Sequence, residues 1–210
     1  MKPYDTYQAY IFDLDGTLYD QGKLRLGMLK RLIGYYIRHP FRVRELLVLF
    51  YYRKQREKAD EASGYDKRDL IQSLARRFHM SPRQAEKALD YWLLQNPLDL
   101  VRKCADADLL MEIKELRKQG KVVVVYSDYP TADKLRAMGV KADYEFSPED
   151  PAINCLKPNP DGLKQIISVL NLPVNEILFI GDREEKDGAC AKAVGMDFML
   201  KRKPWKELRP

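Results

Sequence analysis

Four segments of this chain are apolar at nearly every position: residues 9–13, 122–127, Ile177–Gly181 and, more weakly, Asp197–Leu200. Unbroken apolar runs of this length mark strands buried on both faces, as in a parallel sheet. Between them apolar residues recur at helical spacing. Residues 106–119 carry Leu109, Leu110, Ile113 and Leu116 on one face and stop at Gly120. Asn159-Pro160 supplies a cap and a first-turn proline for a helix over Asp161–Leu170. Tyr129-Pro130, just after the second run, is expected to open another helix. Strands alternating with helices predict an α/β fold built on a doubly wound, mainly parallel sheet.

Residues 21–104 follow another pattern. Strand-like runs give way to helical spacing over 24–38, stopped by His39-Pro40, then over 41–59 and 67–78. Ser81-Pro82 caps a fourth helix running to about Gln95. The expected organisation is a core made of residues 1–20 and 105–210, interrupted after its first strand by an all-α subdomain, residues 21–104.

At 210 residues, 45% hydrophobic and 32% charged, the chain can bury a sizeable core and has a globular composition. Cys104, Cys155 and Cys190 form no CxxC pair and are odd in number, which argues against a disulfide framework and suits a reducing compartment. The first residues contain no apolar signal core, and no apolar run approaches the roughly 18 residues of a membrane span. A cytoplasmic location is the expectation.

The chemistry lies where the apolar runs end. The first runs into Asp13-Leu14-Asp15-Gly16-Thr17. In extended chain residues i and i+2 face the same way, so Asp13 and Asp15 would present both carboxylates at the carboxyl end of a strand. Open α/β sheets bind their ligands at that end. Two acids so close repel unless a cation or a shared proton intervenes. The second run ends in Ser127, whose hydroxyl and neighbouring backbone N–H groups could seat a phosphate oxygen or cap a helix. Lys157 is a cation set beside Pro158 and Pro160. The third strand-like run ends in Gly181-Asp182, with Asp187 five residues on, acids suited to a hard cation such as Mg²⁺.

In order and spacing these elements resemble the signatures of the haloacid dehalogenase-like (HAD) hydrolase superfamily: DxDGT, a strand-end Ser/Thr, a Lys before Pro, and a GD followed by a further Asp. The resemblance covers residues 8–18 and 105–200, and the helical segment between resembles the family's type-1 cap. It implies a Rossmann-like core and a Mg²⁺-dependent phosphatase acting on a small phosphorylated substrate. Asp13 would be the nucleophile that forms an aspartyl-phosphate, and Asp15 the general acid/base, its proton affinity raised by the neighbouring carboxylate. Asp13, the backbone carbonyl of Asp15 and Asp182 would hold Mg²⁺. Ser127 and Lys157 would bind the phosphoryl oxygens, with Thr17 and Asp187 in support. The family's dehalogenases lack the second aspartate, so Asp15 favours a phosphatase. Its mutases often carry Val where Thr17 stands, which weighs against a mutase, and a phosphomutase-like phosphotransferase is kept as the alternative. Arg183 departs from the small polar residue usual after the GD.

Charge sets the helical segment apart. Residues 21–104 hold 19 Lys+Arg against 9 Asp+Glu, a surplus of ten, while the rest of the chain is net negative. Leu46–Tyr52 is seven apolar or aromatic residues in a row. A cap helix packed on its neighbours with a solvated basic face accounts for this stretch. A homodimer interface and peripheral membrane contact are the alternatives, with a non-catalytic HAD-fold module binding a membrane or a protein as the other function class. No nucleic-acid partner is expected, since no recognised binding motif accompanies the basic residues.

Overall fold

The computed structural model describes residues 3–58, 66–202 and 205. Five parallel strands, β1 (Ala9–Phe12), β2 (Val122–Tyr126), β3 (Tyr144–Phe146), β4 (Ile177–Gly181) and β5 (Asp197–Leu200), form one sheet in the order β3-β2-β1-β4-β5. Ile11 pairs with Val124 on one side and Phe179 on the other. These three side chains pack on one face with Leu163 and Ile166, whereas Tyr10, Phe12, Val123 and Val125 pack on the opposite face with Leu109, Ile113 and Leu116. Helices α6 (Ala107–Lys118) and α7 (Ala132–Met138) therefore cover one face, and α8 (Asp161–Leu170) and α9 (Ala189–Ala193) the other. Burial on both faces explains why these strands are apolar without alternation. β1 is central, and the chain proceeds from it to either side, so its carboxyl end lies at the switch point of the sheet.

The helical insert comprises α1 (Gln21–Arg38), α2 (Val43–Lys58), α3 (Lys67–Arg77), α4 (Pro82–Leu89) and α5 (Leu98–Cys104). Its two connections to the sheet run side by side: the Asp20 amide donates to the Cys104 carbonyl at 2.9 Å, and the Asp106 amide to the Leu18 carbonyl at 2.9 Å. Asp20 caps α1 by accepting from the Lys23 amide, and Ser81 with Gln84 forms a capping box on α4. Val48, Leu49, Tyr52, Ile71, Leu74 and Trp92 form an apolar cluster of the insert's own. The expected second helix opens as a 3₁₀ turn at Pro40–Arg42, and its end at Ala59 lies outside the described residues. The fourth changes to a π-helical turn over Asp90–Gln95. Among the described residues, no helix is long and apolar enough to cross a membrane.

The apolar run Leu46–Tyr52 does not simply face inwards. Val48, Leu49 and Tyr52 are buried, but Leu47 and Phe50 are exposed. Seven consecutive apolar residues encircle a helix, so one face cannot hide them all.

Candidate active site

The chain leaves β1 at Phe12, and the Asp13 amide continues the ladder by donating to the Ile180 carbonyl at 2.9 Å. It then turns at Gly16, whose φ of +106° is open to glycine and unfavourable for other residues. Asp13 is buried, and Thr17 Oγ1 donates to its Oδ2 at 3.0 Å. Lys157 reaches under the same carboxylate from the loop before α8. Its Nζ lies 2.6 Å from Asp13 Oδ1 and 2.6 Å from Asp187 Oδ1, with 2% of the side chain exposed. The Lys157 amide donates to Asp128 Oδ1 at 3.0 Å, tying the loop to the end of β2.

Asp182 and Asp187 come from the segment after β4. Carboxylate oxygens of Asp13, Asp182 and Asp187 all lie within 4.8 Å of one another. Gly181 makes this approach feasible, because a side chain there would occupy the space of the Asp187 carboxylate. Burial, followed by the charges of Asp187 and Asp15, lifts Asp13 well above the ordinary carboxylate range despite Lys157. Burial and Asp187 push Asp182 up to about 6. Burial alone would lower Lys157, but Asp13, Asp187 and Asp128 outweigh it and hold the ammonium charged.

Asp15 behaves otherwise. Its Oδ1 receives Lys134 and the Tyr19 hydroxyl, and Ser127 Oγ donates to its Oδ2 at 3.3 Å. Burial pushes its proton affinity up, but Lys134 and the three hydrogen bonds prevail, and Asp15 lies below the usual carboxylate value. The raised affinity expected for Asp15 thus falls on Asp13, because Lys134 outweighs the carboxylate neighbour.

Ser127 is fully buried and caps no helix. Its Oγ accepts from the Tyr129 amide at 3.1 Å within a turn, and α7 begins at Ala132 rather than at Tyr129-Pro130. A helix N-terminus beside Ser127 is therefore absent. Arg183 pairs with Glu185 at 2.8 Å and still lines the cavity.

Asp13, Asp15, Lys157, Asp182, Arg183 and Asp187 line a cavity of about 430 Å³. Its wall brings in residues that the motifs do not include: Arg25 from α1, Arg53 and Arg56 from α2, and Asp128 and Tyr129 from the β2 loop. Arg56 donates to the Asp128 carbonyl and lies 4.0 Å from the centre of the Tyr129 ring, so the insert touches the sheet's loops at the cavity itself. The surplus of basic residues in the insert was the sequence signal for these arginines. Lys134 and Tyr19 had none of comparable strength.

The three clustered carboxylates suit a hard divalent cation. Asp182 Oδ1 is buried and has no hydrogen-bond partner among the described residues, an arrangement that costs free energy unless a cation satisfies it. The donor set consists of oxygens, as Mg²⁺ requires, and the Asp15 carboxylate, turned to Lys134, stands outside it.

The family model for haloacid dehalogenase-like hydrolases matches residues 7–195, and the chain belongs to that family. No curated protein matches it by sequence. Among solved structures it is similar to YfnB from Bacillus subtilis bound to magnesium, with 14% identity over 95% of this chain and 92% of that one and a TM-score of 0.65. It is also similar to a HAD phosphatase from Thermococcus onnurineus, with 21% identity over 94% and 87% and a TM-score of 0.62. A 2-haloacid dehalogenase from Pseudomonas syringae reaches 15% identity over 95% and 89%, with a TM-score of 0.66. Phosphatases and dehalogenases share this fold.

Proposed function

We propose that this hydrolase is a Mg²⁺-dependent phosphatase that cleaves a phosphomonoester through an aspartyl-phosphate on Asp13. The observation that carries the reading is the surrounding of Asp15. Three proton-bearing groups, Lys134, Tyr19 and Ser127, converge on one carboxylate beside the Asp13 cluster. A departing alkoxide needs a proton; a departing halide does not.

Asp13 attacks phosphorus, an Asp13 oxygen–phosphorus bond forms, and the bond to the ester oxygen breaks. The ester oxygen takes its proton from Asp15. Asp15 rests as an anion, so it takes up that proton from water as the phosphate enters and adds negative charge beside it. Burial and Asp15 hold the Tyr19 hydroxyl well above its ordinary range, so it stays protonated as a donor to Asp15. In the second half Asp15 accepts a proton from water, which attacks the phosphoryl group and frees Asp13. Lys157 stabilises the phosphoryl oxygens, Ser127, expected to do the same, instead holds Asp15, and Arg25, Arg53 and Arg56 draw the dianion into the cavity. Asp13 and Asp182, with Asp187 beside them and the Asp15 carbonyl completing the set, would hold Mg²⁺. Its charge would favour ionised Asp13 and offset the repulsion between nucleophile and phosphate. The helices of residues 21–104 act as the cap.

The test is phosphate release from an aryl phosphate with Mg²⁺ or EDTA, beside halide release from 2-chloropropionate. Mg²⁺-dependent phosphate release that Asp13→Asn abolishes is the expected result. Halide release without phosphate release would overturn the reading in favour of a dehalogenase.

A further inference from the structure

A second cavity, of about 380 Å³, lies beside the first. Asp15, Gln21, Arg25, Arg53 and Tyr129 line both, so the two adjoin at these residues. Their walls differ in kind. The charged and hydrogen-bonding side chains of the second cavity are mainly those it shares with the first, together with Tyr19 and Lys134, which both meet Asp15. Beyond them the wall is Leu24, Met28, Leu32, Leu49, Trp92 and Pro97, supplied by α1, α2 and the π-helical turn with the residues after it. Leu29 forms part of the outer wall and is 52% exposed. It belongs to a stripe on α1, with Leu26, Ile33 and Ile37, that is also open to water. These positions recur every three to four residues, so the stripe runs along one side of the helix and leads away from the cavity.

Position identifies the occupant. In the phosphatase reading, on which this inference rests, Asp15 gives its proton to the ester oxygen, so whatever extends from Asp15 away from the Asp13 cluster is the leaving group. Among the described residues, the side chains that line this cavity but not the first are, Tyr19 and Lys134 apart, Leu, Met, Pro and Trp, which offer little to the hydroxyls of a sugar or nucleoside. A buried polar group without a partner is unfavourable, while a hydrocarbon loses nothing there. The arginines at the junction place positive charge where the phosphate ends and the apolar wall begins.

We propose that the substrate is amphiphilic, the monophosphate of a hydrocarbon chain, with its phosphate on Asp13 and Lys157 and its chain along the second cavity towards the exposed stripe of α1.

The test is kcat/KM for phosphate release from methyl, butyl, hexyl and octyl phosphate, each below its micelle-forming concentration, with phenyl phosphate as reference. A buried methylene contributes roughly a fourfold preference, so octyl phosphate is expected to exceed butyl phosphate by on the order of 200-fold. Leu32→Asp, with retained folding checked by circular dichroism, is expected to flatten the series. Leu29→Asp, at a half-exposed position, provides the same readout if Leu32→Asp does not fold. A longer-chain phosphate offered in neutral-lipid vesicles separates the sources: release from vesicles indicates a bilayer-borne substrate, and release from dispersed monomers alone a free one. Turnover of methyl and phenyl phosphate with no dependence on chain length would overturn the amphiphile and leave the phosphatase standing. A slope that persists in a folded variant would remove the chain from this cavity. No release from any ester with Mg²⁺ would overturn both readings.

Discussion

The carboxylate of Asp182 occupies the space that a side chain on Gly16 would need. Gly16 is thus required twice over, by a φ of +106° and by the close approach of an acid from the end of β4. Gly16→Ala is expected to cost about 1–3 kcal/mol in stability through backbone strain. It should also displace Asp182 and so raise the Mg²⁺ concentration needed for half-maximal activity. Urea unfolding and a Mg²⁺ titration read the two effects separately. An unchanged Mg²⁺ requirement would detach Asp182 from the metal.

Removing the charge of Asp13 should separate activity from stability. Asp13→Asn is expected to reduce turnover by at least ~10³-fold. Stability should stay within about 1 kcal/mol, because Lys157 keeps Asp187 as a buried counter-charge. Asp15→Ala should also lower kcat, by roughly 10²–10⁴-fold, the usual worth of a positioned acid/base. Steady-state kinetics and thermal melts on the two variants test this. Near-normal turnover by folded Asp13→Asn protein would end the nucleophile assignment.

Lys134 and Asp15 form an ion pair with side chains 9% and 14% exposed. Lys134→Met leaves that carboxylate buried without its cation, a loss of about 3–5 kcal/mol at neutral pH. The sign of the pH dependence follows from the partners. With Lys134 present, the Asp15 value lies below its unfolded value, and its contribution fades as pH falls through the folded value. Without Lys134, burial raises Asp15, and the variant gains stability relative to wild type as pH falls and the carboxyl protonates. The gap between the two proteins should therefore narrow between pH 7 and pH 4. A constant gap across that range would show that the pair is not ionised.

The motifs and the ionic setting of the site differ in how far the sequence displays them. Asp13, Ser127 and Asp182 end or follow strongly apolar segments, and β1, β2 and β4 are apolar because both their faces are covered. Burial leaves its mark on composition, so the sheet and its catalytic end could be read directly. Lys134 lies in a seven-residue helix beside Asp133, Leu135 and Arg136, where a lysine looks like any surface charge. It meets Asp15 across 119 residues of chain. That meeting depends on β2 lying next to β1, which single-residue chemistry does not announce. β3 escaped for another reason: it is three residues long, and Tyr144 and Glu145 are exposed, so it lacks the signature of the inner strands. The start of α7 was misplaced because Tyr129-Pro130 belongs to the turn held by Ser127.

Away from the site, Asp106 gives a further pH-dependent contribution to stability. Its Oδ1 caps α6 by accepting from the Leu109 amide at 3.1 Å, and its Oδ2 lies 2.9 Å from Lys201 Nζ and accepts from the Trp205 amide at 3.3 Å. Burial pushes this carboxyl up, but Lys201 and the two amides outweigh it and hold Asp106 below its ordinary value. A depressed folded value means that the contribution is complete above the unfolded value, near 4, and is lost as pH falls through the folded one. Asp106→Asn retains a capping acceptor and removes the charge, so the difference it makes belongs mainly to the pair with Lys201. At pH 7 the variant should be less stable by roughly 3 kcal/mol, the lower end for breaking a buried pair. Urea unfolding of both proteins at pH 7, 5, 4 and 3 should give a difference that holds from pH 7 to 5 and shrinks below pH 4, as wild-type Asp106 itself takes up a proton. A difference that grows on acidification would reverse the sign and show that Asp106 is more easily protonated in the folded chain.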